Sequence, residues 1–171
     1  MWPEQDVKER IEGAVHRLIK EDKDLFEIDV NERTLCHRLA LYLECKFKDY
    51  NIDCEYNRNG DRDPKKIFFN NLKKSLNKHI EKEKDNDTVA KTVYPDIIIH
   101  KRKIKDNLLA IEVKKDSNNN DRAYDLKKLE GYKREFGYKY TVFLQINVGK
   151  EYENIEDYYE IEFINIDKQT S

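Results

Sequence analysis

Three residues in the middle of the chain have the types and spacing for hydrolytic chemistry. They are Asp96 in Tyr94-Pro95-Asp96, and Glu112 and Lys114 in Glu112-Val113-Lys114. Cutting a phosphodiester takes a divalent cation on oxygen ligands, a water activated beside it, and positive charge where negative charge builds up on phosphorus. Two carboxylates and a lysine fixed on rigid strands can supply all of this. Side chains at i and i+2 of a strand point to one face. Glu112 and Lys114 therefore share a face, with Ile111 and Val113 on the other. Asp96, Ile98 and His100 share a face of the preceding strand. If the two strands pair around a loop at 101–107, Asp96 and the Glu112/Lys114 end become neighbours far from that loop.

The spacing alone carries little weight. An acidic residue two places before a lysine occurs six times, at 6–8, 21–23, 44–46, 63–65, 112–114 and 125–127. Five of these fall on expected helices or their ends. Only Glu112-Val113-Lys114 lies on an expected strand, directly after a strand that begins Pro-Asp.

The elements that must position these residues follow from periodicity. Val7, Ile11, Ala14, Val15 and Leu18 recur at helical spacing over 4–21. A second helix is expected over 32–48, capped by Asn31 and carrying the stripe Leu35, Leu39, Leu43 and Phe47. A short strand follows at 52–57, then a turn at 57–61. Pro64 suits a first helical position, and Phe68, Leu72, Leu76 and Ile80 suggest an inserted helix over about 64–84. The β-branched run Ile97-Ile98-Ile99 marks a buried strand over 93–100, paired with a second at 108–114. Ala123, Leu126, Leu129, Tyr132 and Phe136 mark a helix that Gly137 ends. A strand follows at 140–148. Tyr159, Ile161 and Phe163 alternate with Glu160 and Glu162, as on a half-solvated edge strand. The interval between Lys114 and Lys139 is long enough for a crossover helix. The expected class is α/β, a mixed central sheet flanked by helices, in one domain over 1–171.

In that setting the arrangement resembles the PD-(D/E)XK nuclease superfamily, the restriction-endonuclease-like fold. Its helix, three strands, helix, strand core maps onto 32–48, 52–57, 93–100, 108–114, 121–136 and 139–147, within about 30–148. The N-terminal helix, the inserted helix and the C-terminal edge strand lie outside that core. The resemblance implies Mg²⁺, with Mn²⁺ as substitute, held by Asp96 and Glu112. It implies that Lys114 orients or deprotonates the attacking water or stabilises the transition state. Many members add a Glu from the first core helix, and Glu32 fits that place. Glu55 is the candidate for a further acidic member. His100, Lys115, Arg122, Lys128 and Lys133 are candidates for nucleic-acid contacts. The expected partner is nucleic acid, DNA before RNA, and a homodimer would be needed to cut both strands of a duplex.

Bulk properties bound these expectations. The 171 residues include 33 Lys+Arg and 35 Asp+Glu, a formal net charge of −2. No overall basic charge advertises nucleic-acid binding. The balance is uneven, however: residues 97–139 carry a net +5, from twelve basic and seven acidic residues, and 147–171 a net −5, from two and seven. Cys36, Cys45 and Cys54 lack the short paired spacing of zinc sites and read as reduced thiols of a cytoplasmic protein. No apolar run approaches the ~20 residues of a membrane span, so no membrane partner is expected. Two competing readings remain. One is a catalytically silent nuclease-fold module that binds nucleic acid or protein. The other is an adaptor that uses its acidic C-terminal strand as an open edge.

Overall fold

A computed structural model describes residues 2–56, 58–59, 63–64, 66–70, 88–118 and 121–165. The amphipathic N-terminal segment forms α1 (Glu4–Glu21), followed by the short α2 (Lys23–Glu27) and α3 (Glu32–Glu44). Asn31 caps α3: its side-chain oxygen accepts from the Thr34 N–H at 2.9 Å, satisfying a donor the helix cannot. Then come β1 (Asn51–Cys54), β2 (Arg58–Asn59), β3 (Asp63–Pro64), β4 (Lys66–Asn70), β5 (Thr88–Thr92), β6 (Ile97–Lys101) and β7 (Asp106–Lys115). The helix α4 (Arg122–Phe136) leads to β8 (Tyr140–Ile146) and, after a 3₁₀ turn at Ile155–Tyr158, to β9 (Tyr159–Phe163). No helix among the described residues is long and apolar enough to cross a membrane.

Five strands form one mixed sheet in the order β1-β6-β7-β8-β9. β1/β6, β6/β7 and β8/β9 pair antiparallel, and β7/β8 pair parallel. The parallel pair needs a crossover, and α4 supplies it. Asp121 caps α4 by accepting from the Ala123 N–H at 2.9 Å. Gly137 ends it in the left-handed conformation at φ 68°, which costs glycine little because it has no Cβ.

Strand alternation divides the core in two. Ile97, Ile99, Leu109, Ile111, Val113, Val142 and Leu144 face α1 and α3. Ile98, Ala110 and Phe143 face Leu129 and Tyr132 of α4. Glu112 and Lys114 fall in step with Ala110, so β7 turns them toward α4. Both faces of β6 and β7 are covered, which explains their nearly unbroken apolar sequence.

The expected inserted helix over 64–84 is corrected in its first part. Lys66–Asn70 is a strand, paired antiparallel with Thr88–Thr92; the remainder, with Leu72, Leu76 and Ile80, lies outside the described residues. The sequence Lys-Ile-Phe-Phe-Asn is rich in β-formers, and an i, i+4 pair starting at Phe68 does not distinguish a strand from a helix over so short a span. Buried Ile67 packs on α4 at Gly131, where a Cβ would lie 2.6 Å from Ile67 Cγ2. Ile67 thus joins β4 to the apolar cluster between α4 and the sheet. Smaller differences are at element ends: α3 stops at Glu44, and β6 begins at Ile97, leaving Asp96 on the bend that enters it.

Candidate functional site

The register of β6 and β7 pairs Ile97 with Ile111. One step further toward the bend, Asp96 meets Glu112. The Val113 backbone N–H donates to Asp96 Oδ2 at 2.8 Å, which holds the Asp96 carboxylate against β7. Glu112 is only 1% exposed and Lys114 7%. Their partners come from α4. Lys128 Nζ donates to Glu112 Oε2 and also meets Asp125 Oδ1 at 3.1 Å. Lys114 Nζ takes the other Asp125 oxygen at 3.0 Å. Charges therefore alternate in a chain: Glu112, Lys128, Asp125, Lys114, with Asp96 at its head.

This chain is short of positive charge, since three carboxylates face two ammonium groups. It is also short of hydrogen bonds. Glu112 Oε1 and the Tyr132 hydroxyl are buried without a well-formed hydrogen bond among the described residues, although Glu112 lies close enough to the hydroxyl to act on it by charge and by hydrogen bonding. Burial first, and then the negative Asp96, push the Glu112 carboxyl well above the ordinary carboxylate range; Lys128 works against both. Asp96 is likewise raised by burial, opposed by Lys128 and the Val113 N–H. Burial lowers the Lys128 ammonium, yet Glu112, Asp125 and Asp96 together outweigh that and raise it. The Tyr132 hydroxyl is pushed well up by burial and then by Glu112.

On the α3 side, a cleft of about 330 Å³ is lined by Glu32, Arg33, Cys36, Cys54, Glu55 and Asp96. Asp96 belongs to both the cleft and the buried chain, and so links the chain to a surface opening. Glu32 Oε1 is already engaged: it accepts from the Lys115 backbone N–H at 3.0 Å and from Asn118 Nδ2 at 2.7 Å. Glu55 pairs with Arg33 at 2.7 Å on the exposed rim.

The structure thus gathers Asp96, Glu112, Lys114 and Lys128 and puts Glu32 and Glu55 on the adjoining cleft. The other sequence candidates are held elsewhere. His100 Nε2 lies 2.8 Å from Asp53 Oδ2 on the β1/β6 pair. Lys115 Nζ binds Asp29 Oδ1 at 2.6 Å and the Val30 carbonyl at 2.7 Å, bracing the approach to α3. Arg122 pairs with Glu162, its guanidinium 4.5 Å above the centre of the Phe143 ring. Lys133 donates to the Ile164 carbonyl at 3.1 Å.

Sequence reasoning missed Asp125 and the inward aim of Lys128. The spacing Asp125, Lys128, Tyr132 is i, i+3, i+7, one stripe of a helix. A helix that must cover Glu112 and Lys114 has to present polar partners on that stripe, and this was the available signal.

Among the described residues no three His, Cys, Asp or Glu side chains converge as a ready ligand set. Mg²⁺ does not require one, because it binds through one or two carboxylates and keeps several waters. Asp96 and Glu112 fit that demand for hard oxygen donors. No protein-family model, curated protein or solved structure matches this chain. What is established is an α/β fold with a mixed five-stranded sheet flanked by helices, compatible with a restriction-endonuclease-like core.

Proposed function

We propose that this chain is a metal-dependent nuclease that hydrolyses phosphodiester bonds, with DNA favoured over RNA as substrate. One observation carries the reading: Asp96 and Glu112 stand together at one end of the β6/β7 ladder, and among the described residues the buried Oε1 of Glu112 makes no well-formed hydrogen bond. A buried carboxylate left half satisfied is costly. A divalent cation on that oxygen would offset the cost. The mixed sheet, with α4 as its crossover, fits the resemblance from which the roles were drawn.

Asp96 and Glu112 would hold Mg²⁺ or Mn²⁺. When bound, such an ion lowers the pKa of a coordinated water and offsets charge on the phosphate. Of the two carboxylates, Asp96 is the one that lines the cleft, and the Val113 N–H fixes its orientation. Lys114, tethered by Asp125, holds a positive charge on the same face of β7 as Glu112, the charge that the resemblance assigns to the attacking water or the transition state. The apolar core under β6 and β7 keeps these groups rigid.

The test is cleavage of DNA and RNA by purified protein with Mg²⁺ or Mn²⁺. Wild type is expected to cut, and Lys114→Ala to abolish cutting. Equal behaviour of the two across several substrates would overturn the catalytic reading. The Lys128–Glu112 pair favours a second reading, a silent module that binds nucleic acid or a protein partner, because an ammonium already neutralises one metal-facing carboxylate. Calorimetric titration with Mn²⁺ separates the two: absence of binding favours the silent module.

A further inference from the structure

Lys128 stands where a surface lysine of α4 would not be expected. Its side chain is 13% exposed and its ammonium is shared between two carboxylates of unequal burial. Glu112, on the inner side, is 2% exposed at its side chain; Asp125, on the outer side, is 17% exposed and three residues back on the same helix. Each partner alone could hold the ammonium. The lysine stem is flexible and its head is a compact point charge, so a move from the inner carboxylate to the outer one needs no change in α4. The inner carboxylate is also the one whose second oxygen is buried without a well-formed hydrogen bond among the described residues.

We propose that Lys128 is a tethered cation that competes with the divalent ion for Glu112, and so sets the metal affinity of the site by swinging between Glu112 and Asp125. This rests on the metal-dependent reading above. The ammonium and the ion cannot both neutralise Glu112 at close range without repelling each other. Binding of the ion therefore releases Lys128 toward Asp125 and the surface. In this role Lys128 acts on the ion through Glu112, so it is a positioning residue, distinct from Lys114.

The experiment uses the wild-type chain with Mn²⁺ as probe. Affinity is read by calorimetry, and lysine accessibility by acylation with mass-spectrometric readout. Mn²⁺ is expected to bind and to raise acylation of Lys128 several-fold, with Lys133 unchanged as internal reference. In Lys128→Gln, which keeps a hydrogen-bond donor for Glu112 without the charge, Mn²⁺ affinity is expected to rise by roughly tenfold or more, as removal of a nearby like charge predicts. If Mn²⁺ binds wild type while Lys128 acylation stays level or falls, the competition is overturned and the metal reading stands. If Mn²⁺ does not bind wild type, both fall. Should the Gln variant fail to fold, the wild-type acylation result decides alone.

Discussion

Asp96 Oδ2 accepts a hydrogen bond of 2.8 Å from the Val113 N–H, the backbone group between Glu112 and Lys114. One side chain on the bend before β6 is thereby locked to the strand that bears the other two candidate residues. The bond uses only one oxygen of Asp96 and does not require its charge. Asparagine at this position can keep the bond through its amide oxygen, whereas the repulsion between Asp96 and Glu112 disappears. Asp96→Asn is therefore expected to melt at or above the wild-type temperature. If the site binds metal, the same variant loses about two orders of magnitude in cleavage rate, since a metal ligand supplies several kcal/mol to the transition state. Thermal melts and Mg²⁺-dependent cleavage on one preparation check both halves.

The packing of the β4/β5 hairpin on α4 gives a second prediction. In an open helix Gly→Ala would add about 1 kcal/mol of stability through helix propensity. At Gly131 the new Cβ would lie 2.6 Å from Ile67 Cγ2 and 2.7 Å from Cδ1. Overpacking of this kind costs about 1–3 kcal/mol, so the net sign is expected to be destabilising. Denaturant titration measures it. Ile67→Ala and Gly131→Ala together should cost less than the sum of the two alone, because Ile67→Ala removes the clashing atoms.

The legible and illegible parts of the sequence divide along the range of the interactions involved. Asn31 as the α3 cap, Gly137 as the α4 stop, and the pairing of the Ile97–Ile99 strand with the strand that carries Glu112 and Lys114 were all readable. Each depends on local backbone chemistry or on two-residue alternation. The strand at Lys66–Asn70 was not readable, because its pairing with Thr88–Thr92 is made across a long stretch of chain. The same holds for Lys128. Its sequence neighbours mark it as an exposed helix residue, and only the placement of α4 over β7 turns it onto Glu112. Glu32 was legible as a residue near the site, yet its bonds to Lys115 and Asn118 depend on a loop that carries no periodic signal.

Acid sensitivity should arise at the opposite end of the β1/β6 pair. Burial alone would raise the Asp53 carboxyl, but hydrogen bonds from Arg102 and His100 outweigh it and hold the group below its ordinary value. A carboxyl with a lowered folded-state pKa contributes stability that is present above its unfolded value and is lost as the pH falls through the folded one. Asp53→Asn is therefore expected to be less stable than wild type at neutral pH. Its melting temperature should also fall less steeply as the pH drops toward about 3, where Asp carboxyls protonate. Melting curves across that range test the slope. Parallel curves for the two proteins would show that Asp53 does not carry the acid response.

Tyr132 is the sharpest case of local cost against use. Its ring is fully buried in the α4 core, while its hydroxyl makes no well-formed hydrogen bond among the described residues, although the raised Glu112 carboxyl beside it acts on it by charge and by hydrogen bonding. A buried hydroxyl left without a partner destabilises a protein by about 1–3 kcal/mol. Phenylalanine fills the same ring volume without that cost. Tyr132→Phe is accordingly expected to stabilise the chain by about 1 kcal/mol, at the low end of that range. Residues that lower stability in this way are retained where function needs them. The variant should then also bind Mn²⁺ more weakly if the hydroxyl supports Glu112 in its metal-holding position. A stabilised variant with unchanged Mn²⁺ affinity would assign the hydroxyl no part in the site. A destabilised one would mean that the hydroxyl does bond in solution, with the Glu112 carboxyl beside it as the acceptor.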